Sequence, residues 1–134
     1  PTSMYSFQVS PLDHFVTIGA STKNKGTDMV ASFSNFGAKG VDVFAPGFEI
    51  YNTVPQSEYM NLQGTSMAAP MVAGAAAMLK SYFPALSMKE IKEVMYSTST
   101  KYPKVEGFAD KSVTGGVVNL LKAAKACKKL AKKK

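Results

Sequence analysis

Between residues 65 and 83 the chain carries a single charge, Lys80, in a stretch otherwise dominated by Ala, Met, Val and Leu, with Thr65 and Ser66 at its head. A helix that is apolar on every side belongs inside a protein, so this segment is expected to pass through the centre of a domain. Nothing else in the sequence constrains the fold as strongly. Gly74 and the alanines around it let neighbouring elements approach closely, at some cost in helix propensity. Pro70 has no amide proton, and its ring crowds the carbonyl four residues back, so it is expected in the first turn. That places Ser66 at the helix N-terminus.

Strand-like segments precede this helix and amphipathic helices follow it. Residues 14–20 (H-F-V-T-I-G-A) are β-branched and apolar, the pattern of a buried strand. Asn24-Lys25-Gly26 and Asn35-Phe36-Gly37 supply turn chemistry on either side of a short strand expected over residues 29–34. Residues 41–44 read as another strand, stopped by Ala45-Pro46-Gly47. Residues 49–54 and 59–62 complete the series. Downstream, Ser87-Met88-Lys89-Glu90 is a capping box that opens a helix with Ile91, Val94 and Met95 on its apolar face. Residues 112–118 resemble a strand broken by Gly115-Gly116. A last helix starts near Asn119, with Leu120, Leu121, Ala124, Cys127 and Leu130 expected on one face. No internal repeat or linker interrupts the 134 residues, so they read as one domain.

The chemistry concentrates at Gly64-Thr65-Ser66. A helix N-terminus presents unpaired backbone N–H groups and the positive end of the helix dipole. A serine hydroxyl held there can attack a carbonyl while its own amide stabilises the developing oxyanion. The commoner role of Thr65 or Ser66 at such a place is that of a helix cap.

The segment Gly64-Thr65-Ser66-Met67-Ala68-Ala69-Pro70-Met71-Val72-Ala73-Gly74 resembles the nucleophile signature of the subtilisin-like serine proteases. V-T-I-G-A-S, A-S-F-S-N-F-G, V-D-V-F-A-P-G and G-G-V-V-N surround it in the order that family uses. The resemblance covers about residues 14–126. It implies an α/β fold, part of a largely parallel sheet flanked by helices, and a serine endopeptidase acting on a polypeptide through an acyl-enzyme. It implies Ser66 as the nucleophile and as one backbone oxyanion donor. Met71 stands where many members carry His, and is expected to be buried packing.

The resemblance also implies partners for Ser66 that the sequence does not show. In this family the aspartate and histidine precede the serine, in D-[ST]-G-like and H-G-T-like segments that do not occur here. His14 is the only histidine and leads into Phe15-Val16; Asp13, Asp28 and Asp42 lack the context. Asp42 is instead expected to accept from nearby backbone amides. Neither Asn35 nor Asn61 matches the context of the family's side-chain oxyanion donor. Without a base, a serine hydroxyl is a poor nucleophile. The chain is therefore expected to be the C-terminal portion of one catalytic domain, inactive alone and needing the N-terminal half as its partner. The alternative from another class is a non-catalytic subtilisin-like module used for binding or scaffolding. Residues 1–13 and 54–62 are candidates for the rim of a substrate cleft.

Composition enters through its distribution. The net charge of +7 lies in residues 122–134, which hold seven lysines and no acid, while the rest carries nine lysines and nine acids. With no arginine and no interleaved aromatic, residues 128–134 read as a solvated basic tail, and no nucleic-acid partner is expected. A 46% hydrophobic fraction excludes a disordered chain. The lone Cys127 excludes a disulfide framework and reads as a small buried hydrophobe, and the eight methionines read as core filler. No run is apolar enough to span a membrane, and no signal-peptide pattern opens the chain. The resemblance implies an extracytoplasmic location. No cofactor is required for the chemistry; structural calcium occurs in some relatives, but no carboxylate set for it is visible here.

Overall fold

The computed structural model describes residues 15–134. Six strands and three α-helices form an α/β domain: β1 (Ile18–Ser21), β2 (Val43–Pro46), β3 (Ile50–Val54), β4 (Glu58–Leu62), α1 (Thr65–Tyr82), α2 (Met88–Ser97), β5 (Thr100–Lys101), β6 (Gly116–Val117) and α3 (Leu120–Ala131). The main sheet has the order β1-β2-β6-β5. β1 and β2 run parallel, in register from Ile18 opposite Val43 to Ser21 opposite Pro46. β6 is parallel to β2, and only the edge strand β5 is antiparallel. The expected largely parallel sheet flanked by helices is what the chain adopts.

Its core lies between that sheet and the three helices. Ala20 and Ala45 from the strands meet Ala68, Val72, Ala75 and Leu79 of α1, Ile91 and Met95 of α2, and Ala123 and Cys127 of α3. A second cluster joins Phe44 of β2 and Val117 of β6 to Met29, Val41 and Phe108. The small residues on β1 have a reason. A side chain at Gly19 would stand 2.3 Å from the Phe44 ring, so glycine there lets the ring lie flat against the strand.

Both later helices start as the sequence indicates. The Ser87 hydroxyl accepts from the Glu90 amide at 3.1 Å, and the Glu90 carboxylate accepts from the Ser87 amide at 2.7 Å. The Asn119 side chain accepts from the Lys122 amide at 3.0 Å and caps α3.

Several expectations are corrected. Residues 29–34 form no strand; after one 3₁₀ turn (Thr27–Met29) and a single bridge from Val30 to Ser21 the chain turns away. Ser34 explains the departure, because its hydroxyl accepts from the Ala20 amide at 2.8 Å and occupies the edge of β1 that a strand would have used. Residues 112–118 contribute only Gly116–Val117 to the sheet, since the positive φ of Gly115 (57°) breaks extended geometry just before it. Pro70 lies inside α1 rather than in its first turn, which leaves the Ser66 carbonyl without its helical donor. Leu121 is 65% exposed rather than on the buried face of α3.

The largest correction concerns α1. Only Ala68, Val72, Ala75 and Leu79 are buried, a single stripe at helical spacing. The opposite side, including Ala73, Gly74, Ala77, Met71 (42% exposed) and Met78 (51%), faces outward. Met71 is therefore not internal packing. Among the described methionines only Met29 and Met95 are buried, while Met60, Met71, Met78 and Met88 are exposed.

Candidate active site

Ser66 is the second residue of α1, and three hydrogen bonds set its position. The Gly47 amide donates to the Ser21 carbonyl (3.1 Å), and the Gly64 amide donates to the Gly47 carbonyl (2.8 Å). The Met67 amide then donates to the Gly64 carbonyl (3.0 Å), closing the first turn. The start of α1 is thus tied to the point where β1 and β2 end. In open α/β sheets, ligand sites lie outside the carboxyl ends of the parallel strands.

Two glycines make this junction possible. A Cβ at Gly47 would lie 2.7 Å from both the Ala20 Cβ and the Gly64 carbonyl oxygen, so only glycine lets the three segments meet. Gly64 has φ 148° and ψ 162°, a conformation open essentially to glycine alone, and it turns the strand β4 into the helix. Gly47 is the positioning residue that sequence reading missed. Its signal was the Ala45-Pro46-Gly47 stop, read only as the end of a strand.

The cap reading of Thr65 and Ser66 does not hold. Gly64 is the N-cap, and no side chain caps the helix. Among the described residues the Ser66 hydroxyl has no hydrogen-bond partner, and its side chain is exposed. The result is a free hydroxyl beside unpaired amides at the positive end of an 18-residue helix. Nucleophilic attack with stabilisation of an oxyanion is the chemistry that this arrangement can support.

None of the other candidates gathers around it. Asp28 lies exposed in the 3₁₀ turn of residues 27–29, and Asn35 is exposed in the turn beyond it. Asp42 accepts from the Thr17 amide at 2.7 Å, a backbone contact across 25 residues of sequence rather than a local one. Asn61 is exposed on β4, opposite Tyr51. Asp13 and His14, like the proposed rim segment 1–13, lie outside the described residues. The rim segment 54–62 forms the tip of the β3–β4 hairpin and β4 itself, a mostly exposed two-stranded unit that leads into Gly64. Among the described residues no group of three or more His, Cys, Asp or Glu comes together as a metal site would require.

Sheet, helix and serine together define an α/β domain with an exposed serine at a helix N-terminus. Residues 6–117 match the profile of the subtilase family. The chain belongs to that family. It is 44% identical to subtilisin DY of Bacillus licheniformis over 88 residues, which are 66% of this chain and 31% of that protein. It is 35% identical to the cell wall-associated protease of Bacillus subtilis over 103 residues, 77% of this chain and 10% of the relative. Among solved structures, the A-subunit of the AB5 toxin from E. coli superposes with a TM-score of 0.71 at 27% identity, covering 84% of this chain and 37% of that one. The chain spans less than a third of the length of these curated relatives.

Proposed function

We propose that Ser66 is the nucleophile of a subtilisin-like serine endopeptidase, and that this chain is the C-terminal portion of its catalytic domain. The observation that carries the reading is the unpartnered Ser66 hydroxyl at the start of α1, next to its own free amide. The hydroxyl oxygen attacks the scissile carbonyl carbon as a base removes its proton. The resulting oxyanion is held by the Ser66 amide, and loss of the amine leaves the acyl-enzyme for hydrolysis. The base and its orienting carboxylate come from polypeptide that this sequence does not contain.

The outward face of α1 supports that partner. Ala69, Ala73 and Ala77 of that face border an open cleft of about 770 Å³, shared with Ile18 of β1 and Met88 and Ile91 of α2. A face of Ala, Gly and Met on a helix of this length is suited to burial, not to water. Among the described residues, the outer edge of β1 is occupied from Ala20 onward by Ser34 and Ala31, but not at Ile18. A further strand and helix layer has room to join there. The chemistry needs no cofactor, and the location is extracytoplasmic, as the cell wall-associated relative suggests.

The scaffold reading draws on the same absence of a base. A fluorophosphonate probe applied to the full-length parent separates the two. An active protease is labelled, and the Ser66→Ala version is not; labelling that persists in the Ala variant removes Ser66 from the role. An unlabelled, folded parent favours the scaffold. The chain of 134 residues alone is expected to turn over no general peptide substrate.

A further inference from the structure

The surplus charge of the chain lies on α3 and the three lysines that follow it, and the fold gives the helical part a shape. α3 buries Ala123 and Cys127 and half-buries Leu120, Ala124, Leu130 and Ala131 against the core. At 3.6 residues per turn, Lys122, Lys125 and Lys129 then stand one above another on the other side, about 4.5 and about 6 Å apart along the axis. They line one wall of a cleft of about 390 Å³, and its other wall is Ser97, Thr98 and Ser99 at the end of α2. No carboxylate lines this cleft.

Among the described residues these charges are also unanswered, apart from the last one. Among the described residues only Lys134 of the seven is paired, to Glu90 at 2.8 Å. Like charges stacked at helical spacing repel, so the helix is stabilised by whatever anion lies along them. The facing hydroxyls do not compete for that anion. Ser97 and Thr98 donate to the Val94 carbonyl (3.2 and 2.6 Å) and Ser99 to the Tyr96 carbonyl (2.8 Å). The ammonium groups are left as the free donors of the cleft.

Their type narrows the ligand. Lysine acts as a point charge without the forked geometry of arginine, which suits closely spaced phosphates in any orientation. No aromatic ring lines the cleft to stack a base, as single-stranded nucleic-acid sites use. The apolar side of α3 is spent on the core, so it cannot sink into a bilayer as an interfacial helix does.

We infer that the cleft between α3 and the end of α2 binds a linear phosphate polyanion, of the inorganic polyphosphate kind, along Lys122, Lys125 and Lys129. The inference is independent of the chemistry at Ser66. It is tested by titrating end-labelled inorganic polyphosphate with the full chain and following anisotropy at several salt concentrations. Binding is expected, with affinity falling on added salt at a log–log slope of about −2 to −3, as for three neutralised phosphates. K122Q/K125Q/K129Q is expected to lose at least about tenfold in affinity. K39Q/K104Q/K111Q removes the same charge elsewhere and is expected to change it less than about threefold. Circular dichroism checks that each variant is folded, and the single K125Q variant replaces the triple one if that fails. No binding, or equal losses in the two triple variants, overturns the inference. So does tighter binding of an oligothymidylate of matched charge or of phosphatidylglycerol vesicles.

Discussion

Ser66 and the two glycines around it do different jobs, and the difference is measurable. Ser66 is exposed and its hydroxyl has no partner among the described residues, so Ser66→Ala is expected to leave stability within about 0.5 kcal/mol while abolishing probe labelling. Gly64 holds a conformation that a side chain resists. Gly64→Ala is expected to cost on the order of 1–3 kcal/mol and to move the first turn of α1. In the full-length parent, that variant should label at least about tenfold more slowly even when folded, since about 1.4 kcal/mol of misplacement already costs a factor of ten. An unchanged labelling rate in folded Gly64→Ala would show that this junction does not set the serine's position. The serine was legible as a residue, through its motif. The junction was not, because Gly47 and Gly64 lie 17 positions apart, brought together by the hydrogen bond from the Gly64 amide to the Gly47 carbonyl.

At the level of elements, local signals worked where the governing bond is local. The capping box of α2 joins residues three positions apart and formed as read; the Asn119 side chain, where the last helix was expected to start, caps α3 over the same separation. Ser87→Ala is expected to lower stability by about 1 kcal/mol, seen as a drop in melting temperature. The Lys134 ammonium and the Ser87 amide hold the Glu90 carboxyl below its usual value of 4.5. A carboxyl whose folded pKa is depressed adds stability above the unfolded pKa and loses it as pH falls through the folded one. The contribution of Glu90 is therefore present at neutral pH and fades below about 4.5; in Glu90→Gln this part of the acid dependence should be absent from pH-dependent melting curves. Strands were read less well. Residues 29–34 have a strand's composition, but the Ser34 hydroxyl and the Ala31 amide use up the edge of β1 from a turn. β-propensity describes a fit to a half-buried surface, and no property of residues 29–34 says that the surface is already taken.

For the whole molecule, the decisive feature is the bare side of α1. Ala73 is exposed, so Ala73→Glu is expected to change the melting of this chain by less than about 0.5 kcal/mol. If the proposed N-terminal half covers this face in the full-length parent, the same change places a charge in a buried interface. There it is expected to lose folded, probe-reactive enzyme. Equal tolerance in both settings would mean that nothing covers this face. Alone, the chain exposes that face and part of the β1 edge, and sedimentation should find it self-associating rather than monodisperse. Ala73→Glu should reduce that association.

The sequence by itself determined the helix of residues 65–82, the serine at its start, the capping box of α2, the start of α3 near Asn119 and the concentration of charge at the C-terminus. Each follows from short-range chemistry: an apolar run, a glycine before a serine, a side chain within bonding reach of its own turn. Only the tertiary structure decided which side of α1 is covered, which glycines hold the serine over the ends of β1 and β2, and which lysines face Ser97, Thr98 and Ser99 across a cleft. The physical reason is the same each time. A helix apolar all round carries no polar stripe to say which side meets the sheet, and contacts between residues far apart in the chain leave no periodicity to read.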